Sequence, residues 1–308
     1  MDIWQLGQKL YNCNRWINYR CVLVFGICCR LHSREVKILE DFLHQNPLRQ
    51  KFLATHPEVF AQLTRQFFYR GSTVQKRLAC IIETIEFLEK RLNHSSVEKM
   101  YLHEGDPFEL LRIPFADKEL TLDFFFRRGE IREGSMSLFL RLEGKPIYHI
   151  NFWVTSVNRQ PAIYIGCHQG SKDGLEINKA MTKAFFGCRP KNLILNLLRI
   201  VAQELGVQEL YAVSDYGFYA NNHLRQDRKL RISYDEFWLE CGGEPAEDPR
   251  FFWLPLVEHR KSIEEVPTRK RAVYRRRFAW LDAIEQQLQT ALQPHLQPLP
   301  EDAEPSAE

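Results

Sequence analysis

The stretch best suited to chemistry is Gly187-Cys188-Arg189-Pro190-Lys191. Proline at the first position of a helix, with free N–H groups, the helix dipole and two cations nearby, would favour a bound anion. Gly187, Arg189 and Lys191 are therefore candidates for holding a phosphate-bearing cofactor, although an ordinary well-started helix with two solvated cations would carry the same residues. His168 and Gln169, between Gly166 and Gly170 at the end of an apolar run, are candidates to contact a substrate in the same cleft. A lone His at such a place is more often structural than a general base. Ser214 and Asp215 follow a second apolar run, and Tyr216, Asn221, Asn222 and His223 extend it as a polar loop. Ser214 and Asn221 are candidate substrate contacts, and Asp215 and Tyr234 are the candidate acid–base groups. No G-x-S-x-G elbow accompanies them, which argues against a serine hydrolase. Ser233 before Tyr234-Asp235 also fits a plain helix N-cap.

A second feature is electrostatic. Arg269, Lys270, Arg271, Arg275, Arg276 and Arg277 put six cations within nine residues. A charge run is usually a solvated helix face, but this one is dense enough to bind an anionic membrane surface peripherally. Each Lys or Arg near such a leaflet contributes about 1 kcal/mol. Val273, Trp280, Leu281, Ile284 and Leu288 define the buried face expected for that helix. No helix-turn-helix, zinc finger or aromatic RNA-binding motif points to nucleic acid. There is also no metal-ligand cluster, P-loop or dinucleotide fingerprint.

These residues need elements to hold them. From 34 to 93 the pattern is helical, with breaks at Asn46-Pro47 and His56-Pro57 and a longer helix from about 73 to 92 whose apolar face is Leu78, Ile81, Ile82, Ile85, Leu88 and Leu92. Strand-like runs follow at 120–126, 135–142, 147–154 and 162–167, joined by glycine turns at 128–134 and 143–146. Connections this short require an antiparallel meander, because parallel crossovers need a dozen residues or more. Pro190 to Leu205 reads as a helix closed by Gly206, with Leu193, Ile194, Leu197, Leu198 and Val201 inward. A strand at 209–213, a short helix at 234–241, a strand at 251–256 and a long helix at 267–292 complete the order.

Composition bounds the rest. The chain has 308 residues, 44% hydrophobic and 26% charged, with a net charge of +3. That range excludes wholesale disorder and a histone-like binder, which needs a large positive surplus. Eight cysteines occur without a C-x-x-C pair, so free thiols in a reducing compartment are expected. The most apolar run, Cys21 to Cys29, would cover about 14 Å as a helix, against the ~30 Å of a bilayer core. It reads as a buried helix segment, and neither a signal peptide nor a spanning helix is found.

Four strings in order, Tyr164 to Gly170, Phe186 to Lys191, Tyr234 to Gly243 and Lys270 to Arg277, resemble the VirK/YbjX family of bacterial proteins over roughly residues 34–292. The resemblance implies virulence, cell-envelope or antimicrobial-peptide-resistance traits, with no established reaction. A weaker resemblance is to the GNAT acyltransferase fold, whose meander leads to a loop that binds coenzyme A pyrophosphate at a helix start. In this chain that place falls at Gly187 to Lys191, and it implies acyl-CoA or another phosphate-bearing acyl donor. Two departures stand out. Trp238 occupies the place of a tyrosine whose hydroxyl can protonate the leaving thiolate, and an indole cannot replace it. A long insert separates Gly170 from Phe186.

The expected fold is α+β: a helical region over 1–115, a GNAT-like mixed sheet with an antiparallel meander over 116–260, a basic helix over 261–293, and a disordered acidic and Pro-rich tail over 294–308. The chain is expected in the cytoplasm, peripheral to the inner membrane at most. Two functions stay open: an acyltransferase-like enzyme, and a non-catalytic binding protein for a partner or an anionic envelope component.

Overall fold

Thr73 accepts a hydrogen bond from the Lys76 amide and starts the helix that organises the N-terminal half. In the computed structural model this helix, α6 (Val74–Arg91), follows α1 (Ile3–Tyr11), α2 (Trp16–Leu31), α3 (Ser33–His44), α4 (Pro47–Thr55) and α5 (Val59–Thr64), and precedes α7 (His94–Leu102). The structure describes residues 2–11, 16–102, 108–126, 132–171, 174–221 and 233–298. The turn expected at 128–134 falls mostly outside these residues, as do Asn222, His223 and the tail beyond 298. Arg77, expected off the apolar face of α6, is buried, because its guanidinium donates to the carbonyls of Leu63 and Ser72.

The meander is present, with one strand more than expected. β1 (Glu109–Phe115) lies inside the region expected to be helical and pairs antiparallel with β2 (Lys118–Phe125). β3 (Met136–Leu142), β4 (Lys145–Val157) and β5 (Gln160–Gly170) continue it antiparallel. Then come α8 (Leu175–Ala184), α9 (Pro190–Glu204), β6 (Glu209–Val213), α10 (Tyr234–Glu240), β7 (Glu244–Pro245), β8 (Phe251–Leu254) and α11 (Thr268–Leu292). Among the described residues the strands form one sheet in the order β1-β2-β3-β4-β5-β6-β8-β7, and β5 with β6 is its only parallel pair. The fold is α+β, a mixed sheet between N-terminal helices and a long C-terminal helix.

One apolar core runs through the helices and the sheet. α9 is buried on nearly every side, from Leu193 to Ala202, as a helix apolar all round must be. On α11, Leu281, Ile284 and Leu288 are buried and Trp280 stacks on Phe185 at 4.5 Å. Val273, expected on that buried face, is 40% exposed instead. α2 also differs from expectation. Val22, Phe25 and Cys29 point into the core, while Leu23 and Ile27 of the same apolar run face outward.

α6 meets the sheet through backbone chemistry. β3 begins opposite Phe152, so Val154 of β4 has no partner on that side. The Thr84 hydroxyl takes its place, accepting from the Val154 N–H at 2.9 Å and lying 3.2 Å from the Val154 carbonyl. Glu83 does the same two residues on, accepting from the Thr155 hydroxyl and the Ser156 amide. Thr84→Val keeps the shape and leaves the Val154 N–H without its partner. Urea unfolding is expected to show a loss of about 1–3 kcal/mol. An unchanged midpoint would mean that the helix docks by apolar packing alone.

Candidate functional site

The site starts from a divergence. β5 and β6 pair in parallel only from Ala162–Glu209 to Ile165–Ala212. Beyond Ile165, β5 keeps β4 as its partner as far as Gly170, and among the described residues it pairs with no strand on the β6 side. The divergence leaves a gap between the two strands. Here α10 fills it. Trp238 is fully buried, and its indole N–H donates to the Val213 carbonyl at 2.8 Å. Tyr234 and Phe237, each 4% exposed, pack beside it.

His168 closes the same gap from β5. It is buried, with ring contacts to Tyr148, Phe237 and Trp238. Its Nε2 lies 2.9 Å from the Lys191 carbonyl; a carbonyl only accepts, so Nε2 carries the proton. Burial pushes its pKa down to about 4. The ring is thus a neutral donor that ties the start of α9 to β5.

The other sequence candidates are also placed in structural roles. Asp215 accepts from the Ser233 hydroxyl at 2.7 Å and the Tyr234 amide at 2.6 Å, while Asp235 accepts from the Asp215 amide. The two carboxylates therefore fasten the first turn of α10 to the end of β6. The Tyr234 hydroxyl accepts from the His168 amide, and burial raises its pKa well above the usual value. Ser214 donates to the Pro249 carbonyl and accepts from the Gly217 amide. Asn221 donates to the Asp215 carbonyl. Gln169 is exposed at the end of β5. Gly166 is required by a crossing of chains, because a Cβ there would collide with the Glu133 carbonyl.

Gly187, Arg189 and Lys191 do come together, though not as a backbone cradle. Phe186 and Gly187 both have positive φ and reverse the chain between α8 and α9. The Gly187 and Cys188 amides are already used, on the carbonyls of Thr182 and Phe185. Pro190 has no N–H, and the Asn192 and Leu193 amides bond the Arg189 carbonyl. The amides of Gly187, Cys188, Asn192 and Leu193 are thus taken by the chain itself, and Arg189 and Lys191 add side-chain charge to the turn. Burial pushes the Cys188 thiol up to about 12, which leaves it inert as a nucleophile.

The charge lines a cleft. Between α8 and the start of α9, a hollow of about 550 Å³ is walled by Tyr148, Leu175, Thr182 and Pro190, with Lys179, Lys183, Arg189 and Lys191 around it. A second hollow of about 420 Å³ adjoins it, shares Lys183 and Gly187, and adds Lys270, Tyr274 and Arg277 from α11. Among the described residues, none that lines either hollow is acidic. Glu240 of α10 lies behind the cleft and pairs with both Arg189 and Lys191. Burial and the neighbouring Arg189 lower the Lys191 pKa, and its ammonium sits 4.5 Å over the Phe237 ring. A separate hollow beside α4 and α7 has its cations matched by acids, Lys51 by Glu98 and Arg49 by Glu89.

α8 is the part of the site that sequence reasoning missed. It supplies Leu175, Asn178, Lys179, Thr182 and Lys183, half of the cleft wall. Ile177, Met181 and Phe185 at i, i+4 and i+8 carried the signal. The basic run of α11 does not act as one surface. Arg271 donates to the carbonyls of Val266 and Glu264, and Arg277 to that of Phe186. Arg269, Lys270, Arg275 and Arg276 are exposed.

Three comparisons place the chain among known sequences. A family model described as "Protein of unknown function (DUF535)" matches residues 14–290. The chain is 30% identical to the uncharacterized protein YbjX of Escherichia coli K12 over 281 residues, covering 81% of this chain and 84% of that one. An uncharacterized protein of Haemophilus influenzae is 24% identical over 257 residues, with 82% and 84% covered. A Mannheimia haemolytica protein named membrane protein LapB is 25% identical over 185 residues, with 59% and 78% covered. No solved structure matches.

The His168 geometry has a pH consequence. Its folded pKa of about 4 lies below the ordinary 6.5, so the unfolded chain binds the extra proton between these values. Its contribution is complete above pH 6.5 and is lost as pH falls toward 4, by up to about 3 kcal/mol. Urea titrations at pH 7.5 and 5 should show wild type losing more stability than His168→Gln, which keeps a donor for Lys191 but cannot protonate. Equal losses would remove His168 from the acid sensitivity.

Proposed function

The chain belongs to the DUF535 family, the VirK/YbjX family of bacterial proteins, and from that premise we propose that it is a binding protein for a phosphate-bearing amphiphile of the cell envelope. The cleft between α8, α9 and α11 is its site. One observation carries this reading: six cations, Lys179, Lys183, Arg189, Lys191, Lys270 and Arg277, surround two adjoining hollows whose described lining residues include no acid.

The chemistry of the walls supports an amphiphile over a bare ion. Tyr148, Leu175, Val273 and Pro190 give apolar surface between the charges, so an acyl or isoprenoid segment could lie against them while its phosphate meets Lys183 and Arg189. The relative named a membrane protein is in keeping with a ligand from the envelope. Binding without turnover is the reading favoured by the filled gap beside β5. Tyr234 and His168 meet backbone partners, and Asp215 holds the Tyr234 amide and the Ser233 hydroxyl, so these three candidates are engaged in holding the fold. The acyl-CoA reading survives as one member of the same ligand class, with its phosphates on these cations.

Calorimetric titration of the full chain with short-chain phosphatidylglycerol below its micellar concentration, and separately with coenzyme A, tests the site. Lys183→Glu and Arg189→Glu are each expected to weaken binding about tenfold, or 1.4 kcal/mol. Glu240→Gln should tighten it a few-fold by releasing Arg189 and Lys191. Affinities unchanged by all three variants would overturn the site. Coenzyme A bound in preference to the lipid, with acyl transfer on adding a thioester, would overturn the non-catalytic reading.

A further inference from the structure

The first two helices present an apolar face that is left exposed among the described residues. Tyr19, Leu23, Ile27 and Leu31 of α2 are 53%, 51%, 49% and 75% exposed, and Trp4 of α1 is 46% exposed. At about 100° per residue, the four α2 positions fall within an arc of about 120°. Trp4 lies over Gly26 of α2, so its ring extends the same surface. Isolated exposed apolar residues need no explanation, but five in one patch do.

The charges around the patch select its occupant. From residue 3 to residue 34 the sequence contains no Asp or Glu. Lys9, Arg20, Arg30 and Arg34 of this segment are all exposed. Arg20 and Arg30 stand near the two ends of α2, where long cationic side chains can bury their stems and keep their heads in water. An amphipathic helix with large apolar residues on one side, Trp and Tyr beside them and only basic charge at its edges matches the boundary of an anionic bilayer. A protein partner would leave this one-signed charge unexplained. α2 cannot cross the bilayer instead: no described helix is long and apolar enough, and its inner residues Phe25 and Cys29 are fixed in the core.

We infer that the α1–α2 hairpin is a membrane-surface anchor, seating Trp4, Tyr19, Leu23, Ile27 and Leu31 in the interface of an anionic lipid leaflet with Arg20 and Arg30 at its phosphates. The anchor lies in the plane of the leaflet while the inner face of α2 stays packed on α5. It uses none of the residues of the cationic cleft, so either can fail without the other.

Co-sedimentation of the full chain with vesicles of 1:1 phosphatidylglycerol and phosphatidylcholine, and with phosphatidylcholine alone, tests it. Wild type should pellet with the anionic vesicles at least tenfold better than Leu23→Gln/Ile27→Gln, and the cleft variant Lys183→Glu/Arg189→Glu should retain most of that binding. Brominated lipids should quench wild type more than Trp4→Phe. Leu31→Asp, at the most exposed position, serves as a second variant if the double change unfolds. Pelleting unaffected by Leu31→Asp and by the double variant, or lost only in the cleft variant, overturns the anchor. So does a stable dimer in solution that these substitutions dissociate, because a second copy would then cover the face.

Discussion

Two parallel strands that part company leave a wedge, and what fills the wedge decides what this fold can do. Here the filler is protein. Trp238 spans to the Val213 carbonyl, and His168 spans to the Lys191 carbonyl. The first satisfies the Val213 carbonyl at the end of β6, which would be costly to leave buried and unpaired, and the second fixes the start of α9 to β5. α10 is bound in turn by the Asp215 and Asp235 carboxylates. The start of α9 is therefore held on one side by the sheet and on the other by α10. Arg189 and Lys191 project from a fixed platform rather than from a loose loop.

That platform changes how an anion could be held. In a backbone cradle, amides aim at the ligand and specificity follows from their geometry. In this chain the amides at Gly187 and Cys188 close the turn from α8 instead, so an anion held here would meet chiefly long flexible side chains. Side-chain cations tolerate more ligand shapes, and the exposed ones respond to salt. Glu240 complicates the balance because it neutralises part of the charge of Arg189 and Lys191. Lys183 and Lys270 have no ion-pair partner among the described residues, and Lys183 stands where the two hollows meet.

Much of this fold was legible in the sequence where a strong period met a clear stop. The meander followed from short glycine turns, and α9 from Pro190, its apolar spacing and Gly206. Arg189 and Lys191 were found because a proline-started helix announces itself. The losses have physical causes too. α8 has a shorter apolar period and an exposed Leu175, so its segment passed for an insert. β1 pairs at the sheet edge and its pattern merged with the helices before it. The run Cys21 to Cys29 reads as buried from end to end because composition alone does not say which side of a helix finds a partner. Arg271 and Arg277 looked solvated, yet each satisfies carbonyls that only the folded chain brings near.

The same distinction between composition and partner explains why one chain can carry two unlike surfaces. Gly7 approaches Val22 and Phe25 closely, and Gly26 lies under Trp4, so α1 and α2 pack tightly along a narrow seam. A narrow seam buries little of either helix, and the apolar residues beyond it remain in water. The cleft is built differently, with cations set around apolar walls. Attraction at the cleft is mainly Coulombic and weakens as salt rises, whereas burial of Leu23, Ile27 and Leu31 would scale with apolar area, at about 25 cal/mol per Å². A protein with both would be drawn to an anionic leaflet by charge and retained there by area. Salt should therefore change the rate of arrival more than the hold of the apolar face.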